Sequence, residues 1–184
     1  VICAVLFGCV PDPDDFLDKN GKPIPGCEEM QWRQFRIVYD ELYLHRMGPL
    51  ESAPYIAQKV RGHTFQKFLI DYRGSRVTSV GAEQGNTVRS LYQAAFAGEM
   101  LVCAETDDEF EYGTDDLAAG CMVVRDGLKL RSNGTPDILI VEENCPNLVS
   151  EIDNYKKRIT NDEAQDKPAE GQKDHACDCL RYWY

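Results

Sequence analysis

The sequence of 184 residues predicts a mixed α/β fold in which a sheet is covered by helices on both faces. Three observations predict it. The chain opens with a nearly all-apolar run over residues 2–10, as expected of a strand that is buried on both faces. An aromatic and β-branched run over 30–44 predicts its antiparallel partner. After residue 49, helix-like apolar spacing alternates with short strand-like runs, which indicates parallel strands joined by crossovers.

The first two strands are joined by a segment that cannot be regular structure. Residues 11–27 contain four prolines and two glycines, and Asp-Lys-Asn-Gly at 18–21 predicts a turn. Residues 30–44 contain neither Gly nor Pro, so they are predicted to form one uninterrupted strand.

The later elements are predicted from apolar spacing and from their end signals. Pro49 opens a helix over 50–61, and residues 65–71 form a strand that ends at Asp71 and lies parallel in the same sheet. The other predicted elements are a helix over 85–97, a strand over 101–104, an acidic loop over 105–116, a helix over 115–130, a strand over 138–141, a helix over 146–158, a loop over 159–173 and an amphipathic helix over 174–184. No repeat or linker divides the chain, so residues 1–184 are predicted to be a single domain.

Composition and charge exclude several classes of protein. With 43% apolar residues, and no window near the roughly 18 consecutive apolar residues of a spanning helix, the chain is predicted to be globular and not membrane-bound. Its net charge is -11, whereas proteins whose whole surface binds DNA are usually basic. Any DNA contact is therefore expected to use a local basic patch, bound cations or a partner domain. The chain begins without Met and without basic residues before its apolar run, so we interpret it as a piece of a longer polypeptide.

The cysteines are predicted to be buried free thiols in a reducing compartment. Most of them lie within apolar runs, and no Cys-x2-Cys pair is present. This spacing differs from that of known zinc sites, so a zinc site is not predicted. The eight positions are Cys3, Cys9, Cys27, Cys103, Cys121, Cys145, Cys177 and Cys179.

The candidate catalytic or metal-binding residues are acids at the end of a buried strand and on the last helix. Sites in α/β sheets form at the carboxyl ends of parallel strands, where Asp71 directly follows Phe-Leu-Ile. From sequence alone, Asp71 could equally cap the next turn or pair with Arg73. On the last helix Asp178 shares a face with Asp174 and His175, although Asp174 could simply be the helix N-cap.

Several segments resemble one protein family. Asp-His-Ala-Cys-Asp-Cys-Leu-Arg-Tyr at 174–182 resembles the Asp-His-x-x-Asp-x-x-Arg-Tyr signature near the end of the large terminase subunit of tailed bacteriophages, where it closes a ribonuclease H-like nuclease domain. Val-Tyr-Asp-Glu-Leu-Tyr at 38–43, the strand that ends at Asp71, and Asn-Cys-Pro-Asn-Leu-Val-Ser-Glu-Ile-Asp-Asn-Tyr at 144–155 resemble further segments of this family. These segments occur in the same order and with similar spacing as in the family, and together they span residues 38–184.

The resemblance implies a ribonuclease H-like mixed sheet and an endonuclease that cuts concatemeric double-stranded DNA with two Mg²⁺ or Mn²⁺ ions. Carboxylates suit these hard cations, and two ions about 3.5–4 Å apart stabilise both the attacking water and the leaving oxygen. The implied catalytic residues are Asp71, Asp178 and His175. The implied metal ligands are Asp71 and Asp178, with Asp174 as an additional or outer ligand.

One element of the family pattern is missing. A ribonuclease H-like fold opens with three antiparallel strands, of which the first supplies a central Asp, whereas this chain has one hairpin and no acid in residues 1–10. Either the first strand and its Asp lie upstream of Val1, or residues 2–10 are that strand without its acid. The strand count favours the first explanation. In both cases the metal site is expected to be incomplete and the isolated activity weak or absent.

Contact with DNA is predicted to depend on local charge. Residues 59–89 contain six basic and two acidic residues, and Arg73 and Arg76 follow Asp71 directly. They are the foremost candidates for phosphate contacts, with Lys129 and Arg131 on a second segment. The loop over 105–116 contains seven acids, so it is expected to face away from DNA or to limit access.

We therefore interpret the chain as the nuclease domain of a phage large terminase. The resemblance implies double-stranded DNA, the ATPase domain of the same polypeptide, the small terminase subunit and the portal as partners, in the host cytoplasm at the procapsid. The chain contains no Gly-x4-Gly-Lys-Ser/Thr loop, so this domain is expected to bind no nucleotide. Two alternatives stay open: a resolvase- or transposase-type nuclease on the same fold, and a catalytically inactive module that docks on the portal or on DNA.

Overall fold

The computed structural model describes residues 2–28, 35–76, 86–99, 101, 110–160 and 163–183. Within these ranges the strands are β1 (Ile2–Cys9), β2 (Arg36–His45), β3 (Phe68–Ile70), β4 (Phe110–Tyr112), β5 (Ile138–Ile140), β6 (Lys157–Thr160) and β7 (Glu163–Pro168). The helices are α1 (Pro49–Lys59), α2 (Val88–Gly98), α3 (Leu117–Gly127), α4 (Pro146–Asn154) and α5 (His175–Tyr182). None of these helices has the length and apolar character needed to cross a membrane.

The central sheet has the order β1-β2-β5 and is mixed. β1 runs antiparallel to β2, and β2 runs parallel to β5. Because side chains alternate between the two faces of a strand, β1 contributes to two cores. Val5 and Phe7 pack on one side with α1 and α2, whereas Leu6 packs on the other side with α4 and α5. The predicted mixed α/β fold with helices on both faces is confirmed.

Each face of the sheet has its own core. On the first face the rings of Phe68, Phe96 and Phe110 pack with centroids 5.2 to 5.4 Å apart. On the second face Leu148 of α4 and Leu180 of α5 are completely buried. The first core is therefore built around phenylalanine rings, whereas the buried residues of the second core are mainly aliphatic.

The structure differs from the sequence prediction at β3. Residues 65–71 were expected to lie in the same sheet as β1, but in the described chain β3 pairs in parallel with β4 as a separate two-stranded sheet. The prediction of a loop over 105–116 is wrong at β4, because Phe110 is buried in the aromatic core and only its neighbours are polar. Residues 102–104 of the strand predicted over 101–104 lie outside the described residues.

A second difference is the hairpin of β6 and β7, where a loop over 159–173 was predicted. Its sequence has no apolar alternation, and Ile159 is 71% exposed, so the usual signal of a strand is missing. The other helices and strands named above agree with the prediction, with ends that differ by a few residues. Residues 30–34 of the long second strand lie outside the described chain.

Two smaller predictions concern the first loop and the cysteines. The turn at 18–21 is confirmed, since the Gly21 amide donates to the Asp18 carbonyl at 2.9 Å and Gly21 has a φ of +71°. Seven cysteines are free thiols, and Cys103 lies outside the described residues. The prediction that they are buried is wrong for most of them, because of the seven only Cys145 is buried and Cys9 is exposed. Burial raises the pKa of Cys145 to about 11 and that of Cys177 to about 12, so both thiols stay protonated at neutral pH.

Candidate functional site

A buried carboxylate of the central sheet fixes the start of α4. Glu41 of β2 is 7% exposed and accepts hydrogen bonds from the backbone amides of Asn147 at 2.7 Å and Leu148 at 2.9 Å. The side-chain amide of Asn147 donates to the same carboxylate at 2.6 Å. The first amides of a helix have no partner within the helix, and Cys145 at the N-cap supplies none. Glu41 therefore caps α4 from another element.

A second buried carboxylate fixes the start of α5 in the same way. Glu151 of α4 accepts from the backbone amides of Ala176 at 2.7 Å and Cys177 at 3.1 Å, and from the Tyr43 hydroxyl at 2.7 Å. Asp174 occupies the N-cap position of α5, but its side chain makes no capping bond. Because Glu151 takes over the cap, the carboxylate of Asp174 is left available beside Asp178.

Asp178, the acid predicted on α5, lies next to a buried arginine. Its Oδ1 accepts from Arg181 Nη2 at 3.2 Å and from Nε at 3.3 Å, and no hydrogen bond within the described chain reaches its Oδ2. Arg181 is buried and also donates to the carbonyl of Thr114 at 2.7 Å. Burial raises the pKa of Asp178, the charges of Asp174 and Asp71 raise it further, and Arg181 opposes them.

Asp71, the acid predicted at the end of a strand, follows β3 and is tied to α5. Its Oδ1 accepts from the Tyr182 hydroxyl at 2.9 Å and from the Arg73 amide at 3.2 Å, while Oδ2 accepts from the Gly74 amide at 2.5 Å. Burial, then the charge of Asp178 and the bond to Asp71, raise the pKa of Tyr182, so its hydroxyl stays protonated as a donor. Asp71 thus caps the turn after β3 and joins that turn to α5.

Two glycines allow α5 to approach this turn. A Cβ atom at Gly113 would lie 2.3 Å from Cβ of Tyr182, and one at Gly120 would lie 2.3 Å from Cγ of Arg181. Both distances are shorter than any real contact, so only glycine fits. Arg181 and Tyr182, which end the family-like signature, therefore pack closely against these glycines and fix the position of α5. In this position the charge of Asp71 contributes to the raised pKa of Asp178.

His175 occupies a different place from the acids. It is exposed, and its ring lies 6.4 Å from the ring of Tyr43 on β2. Within the described chain, no contact joins His175 to Asp71 or Asp178. The charges of Asp174 and Asp71 act on Asp178, whereas no contact in the described chain links His175 to these acids.

The described residues do not form a complete metal centre. Carboxylate oxygens are suitable ligands for Mg²⁺ or Mn²⁺. However, both oxygens of Asp71 accept hydrogen bonds, and one oxygen of Asp178 is paired with Arg181. In the ranges that the structure covers, no group of three His, Cys, Asp or Glu side chains is placed to hold an ion. The acids are neighbours, but they do not converge.

Acids neutralise three of the four predicted DNA-contact residues. Arg73 binds Asp115 at 2.9 Å, Lys129 binds Asp126 at 2.6 Å, and Arg131 is paired with Asp137. Of the acidic loop, Asp115 lies against Arg73, whereas residues 105–109 lie outside the described residues. The expectation that the loop faces away from DNA or limits access stays a prediction.

Arg76 is held differently. Its guanidinium lies over the ring of Tyr72, 5.1 Å from the centroid, and Nη1 donates to the Tyr72 hydroxyl at 2.6 Å. Within the described residues no carboxylate is paired with it. Sequence reasoning gave no role to Glu41, Glu151 or Tyr182, although acids inside apolar segments are a signal that such side chains have buried partners.

Comparisons with known proteins give one structural similarity. No protein-family model and no curated protein matches the sequence. The fold is similar to the crystal structure of the g2p (large terminase) nuclease domain from bacteriophage SPP1 with bound Mn, with a TM-score of 0.47 and 16% identity. The alignment covers 80% of this chain and 68% of that one. At this level of similarity the comparison does not assign a family, and the proposals below rest on the residues of this chain.

Proposed function

We propose that the chain is a ribonuclease H-like nuclease domain of a phage large terminase, which hydrolyses phosphodiester bonds of double-stranded DNA during genome packaging. One observation carries the proposal. The segments that resemble the family are joined by hydrogen bonds that lead to the acids. Glu41 caps α4, Glu151 of α4 caps α5, and Tyr182 of α5 binds Asp71. These bonds link β2, α4 and α5 to the acids, and they support the proposal.

The chemistry of the proposal belongs to the carboxylates of Asp71 and Asp178, with Asp174 beside them. Mg²⁺ or Mn²⁺ bound to such oxygens would supply Lewis-acid activation of water and of the phosphate. As they are placed, the described residues do not close around an ion, so we derive no catalytic step from them. The proposed partners are DNA, the terminase ATPase domain, the small terminase subunit and the portal, in the host cytoplasm at the procapsid.

Titration with Mn²⁺ tests the proposal. We expect added Mn²⁺ to raise the thermal unfolding midpoint of the chain, because a ligand that binds only the folded state stabilises it. We expect it to support at most weak nicking of supercoiled plasmid, because the metal site is incomplete. Asp71→Asn and Asp178→Asn should abolish both effects. Asp126→Asn, which changes an exposed acid on α3, is the matched control and should retain both.

A second candidate function is favoured by the ion pair between Asp178 and Arg181, which neutralises one of the proposed metal ligands. In this candidate the domain is a catalytically inactive module that docks on DNA or on the portal. Wild-type chain whose unfolding midpoint does not depend on Mn²⁺, but which still binds DNA, would contradict the nuclease proposal and support docking.

A further inference from the structure

A polar cleft of about 370 Å³ lies between α4, β2 and the segment before α5. The acids Asp71, Asp174 and Asp178 are not among its lining residues. One wall belongs to α4, because four of its residues recur at the spacing i, i+3, i+4 and i+7 that places side chains on one helical face. These four are Asn147, Ser150, Glu151 and Asn154. We call this cavity the α4 cleft.

The two asparagines of α4 offer acceptors to the cleft. Asn147 donates through Nδ2 to the Glu41 carboxylate at 2.6 Å, and Asn154 donates through Nδ2 to the carbonyl of Ser150 at 2.8 Å. Carboxylate and carbonyl oxygens only accept, so these bonds fix the nitrogen of each carboxamide on its partner. Within the described residues no hydrogen bond reaches either Oδ1, so both oxygens remain available to a donor.

Gln172, which the segment before α5 brings to the cleft, offers a donor. Its Oε1 accepts from the backbone amide of Lys156 at 3.0 Å. A backbone N–H can only donate, so this bond fixes the oxygen and leaves Nε2 for another partner. Nε2 is buried and has no acceptor among the residues that the structure describes. A buried donor without an acceptor is rare and costly, so we interpret Gln172 as a residue that a ligand of the cleft satisfies.

Tyr43 and His45 of β2 give the cleft an aromatic end. Their ring centroids lie 5.4 Å apart, and the Tyr43 hydroxyl donates to the Glu151 carboxylate at 2.7 Å. The hydroxyl is therefore occupied, and the rings remain as apolar surface. A ligand that fills the cleft is expected to place an apolar or aromatic group against them.

The chemistry of the lining favours a peptide over a nucleic acid. The phosphate groups of DNA carry acceptors only, so they could not use the two Oδ1 atoms of α4. The carboxylate of Glu151 in the same wall and the net charge of -11 also disfavour a polyanion. A peptide backbone is neutral and carries one N–H and one C=O per residue, both of which need partners when buried.

The length of the wall sets the length of the peptide. From residue 147 to residue 154 the axis of α4 rises by roughly 10 Å. An extended chain advances about 3.3 Å per residue, so about three residues span this distance.

We propose that the α4 cleft binds a short extended segment of a partner protein through the backbone of that segment. Asn147 and Asn154 accept from its N–H groups, and Gln172 donates to one of its carbonyls. An apolar side chain of the segment packs on the rings of Tyr43 and His45. This docking site goes beyond the nuclease activity proposed above and does not depend on it.

A blocked tripeptide tests the proposal on the wild-type chain. N-acetyl-Ala-Phe-Ala-N-methylamide is titrated into the isotope-labelled full chain in EDTA, and nuclear magnetic resonance follows the side-chain amides of Asn147, Asn154 and Gln172. We expect the three signals to shift together and to saturate. An analogue in which ester oxygens replace the peptide N–H groups keeps the side chains, and it should bind about 10-fold more weakly because the acceptors of α4 lose their donors.

Substitutions in the cleft give a second readout. Asn154→Ala removes one acceptor, whereas Gln172→Glu keeps an oxygen for the Lys156 amide and replaces the free donor with an acceptor. Each should weaken binding of the tripeptide about 10-fold. The matched controls make the same changes at exposed positions, Asn20→Ala in the first loop and Gln58→Glu on α1, and should leave Kd unchanged. Far-ultraviolet circular dichroism checks that each variant is folded.

Several results would overturn the proposal. They are a titration of the wild type that shows no saturable shift, an ester analogue that binds as tightly as the peptide, and an unchanged Kd in both folded cleft variants. Thymidine monophosphate or inorganic phosphate that shifts the same signals and displaces the tripeptide would assign the cleft to an anion and contradict the peptide. Because the ester analogue is tested on the wild-type chain, the proposal remains falsifiable even where a variant does not fold.

Discussion

Asp178 is subject to opposite electrostatic effects. Arg181 favours its charged form, while burial and the charges of Asp174 and Asp71 favour its neutral form, and the net result is a raised pKa. A carboxyl group whose pKa is raised by folding makes the folded state less stable once it is ionised. At neutral pH the ionised Asp178 therefore opposes folding when no metal is present.

The substitution Asp178→Asn tests this balance. It should raise the free energy of unfolding at pH 7 in metal-free buffer, by no more than about 1 kcal/mol because water screens a partly exposed group. The gain should shrink as the pH falls through the raised pKa of Asp178, and vanish where the carboxyl is neutral in both states. Urea unfolding of the wild type and the variant between pH 4 and pH 8 measures this difference in the free energy of unfolding.

Asp126→Asn provides the control of opposite sign. The hydrogen bond and charge of Lys129 lower the pKa of Asp126, so its ionised form favours folding and the amide should lower stability. If both substitutions change stability in the same direction at pH 7, the charges around Asp178 are not arranged as described.

At the residue scale, the sequence indicated the acids but not their partners. Asp71 was predicted because it ends a strand, and Asp178 because it shares a helical face with other polar residues within a recognisable signature. The ion pair of Arg73 with Asp115 joins residues 42 positions apart and has no local pattern, so Arg73 could not be separated from Arg76 beforehand. Long-range pairs of charges depend on the fold and not on spacing.

At the scale of elements, two acids determine where helices begin. Glu151 supplies the cap that Asp174 does not, and it is 6% exposed, so water cannot replace its bonds to the amides of α5. Glu151→Ala should lower the free energy of unfolding by about 2–3 kcal/mol, because a buried charged acceptor is lost and its donors are left without partners. Glu143→Ala, on an exposed residue just before α4, should have no measurable effect. Chemical denaturation compares the two.

The close approach of α5 gives a second prediction at this scale. Gly113→Ala should destabilise the fold by about 1–3 kcal/mol, since the new methyl group would overlap Tyr182 and must displace α5. Gly98→Ala is the matched control, because nothing lies within 4 Å of a Cβ atom there and the change should be neutral or slightly stabilising. Equal midpoints for the two variants in thermal denaturation would mean that α5 is not packed against residue 113.

The elements themselves were predictable where their signals are local. Pro49 and Pro146 mark helix starts, and both helices begin at those residues. β4 was missed because its three residues lie among acids, and its burial depends on Phe68 and Phe96 from distant segments. β6 and β7 were missed because they form a polar hairpin. In both cases the pairing comes from tertiary structure, which periodicity does not encode.

At the scale of the whole molecule, the central sheet links the two cores. Alternate residues of β1 enter opposite cores, as Phe7 and Leu6 do, so neither core can form without the strand that also serves the other. The sequence predicted helices on both faces from the order of elements alone. It did not predict that, within the described residues, β3 pairs with β4 and not with the central sheet, since the choice of strand partner depends on packing across the whole chain.

Because β1 contributes side chains to both cores, we expect the molecule to unfold in a single cooperative transition. Leu148 is fully buried in the second core, and Leu148→Ala should lower the free energy of unfolding by about 2–5 kcal/mol through lost burial and the cavity it leaves. Because β1 and β2 serve both cores, the aromatic core should unfold at the same urea concentration as the helices of the second core. Far-ultraviolet circular dichroism follows the helices, and near-ultraviolet circular dichroism follows the packed aromatic rings. In the variant, both signals should shift together to lower urea. A variant in which the two signals have different midpoints would contradict a single cooperative transition.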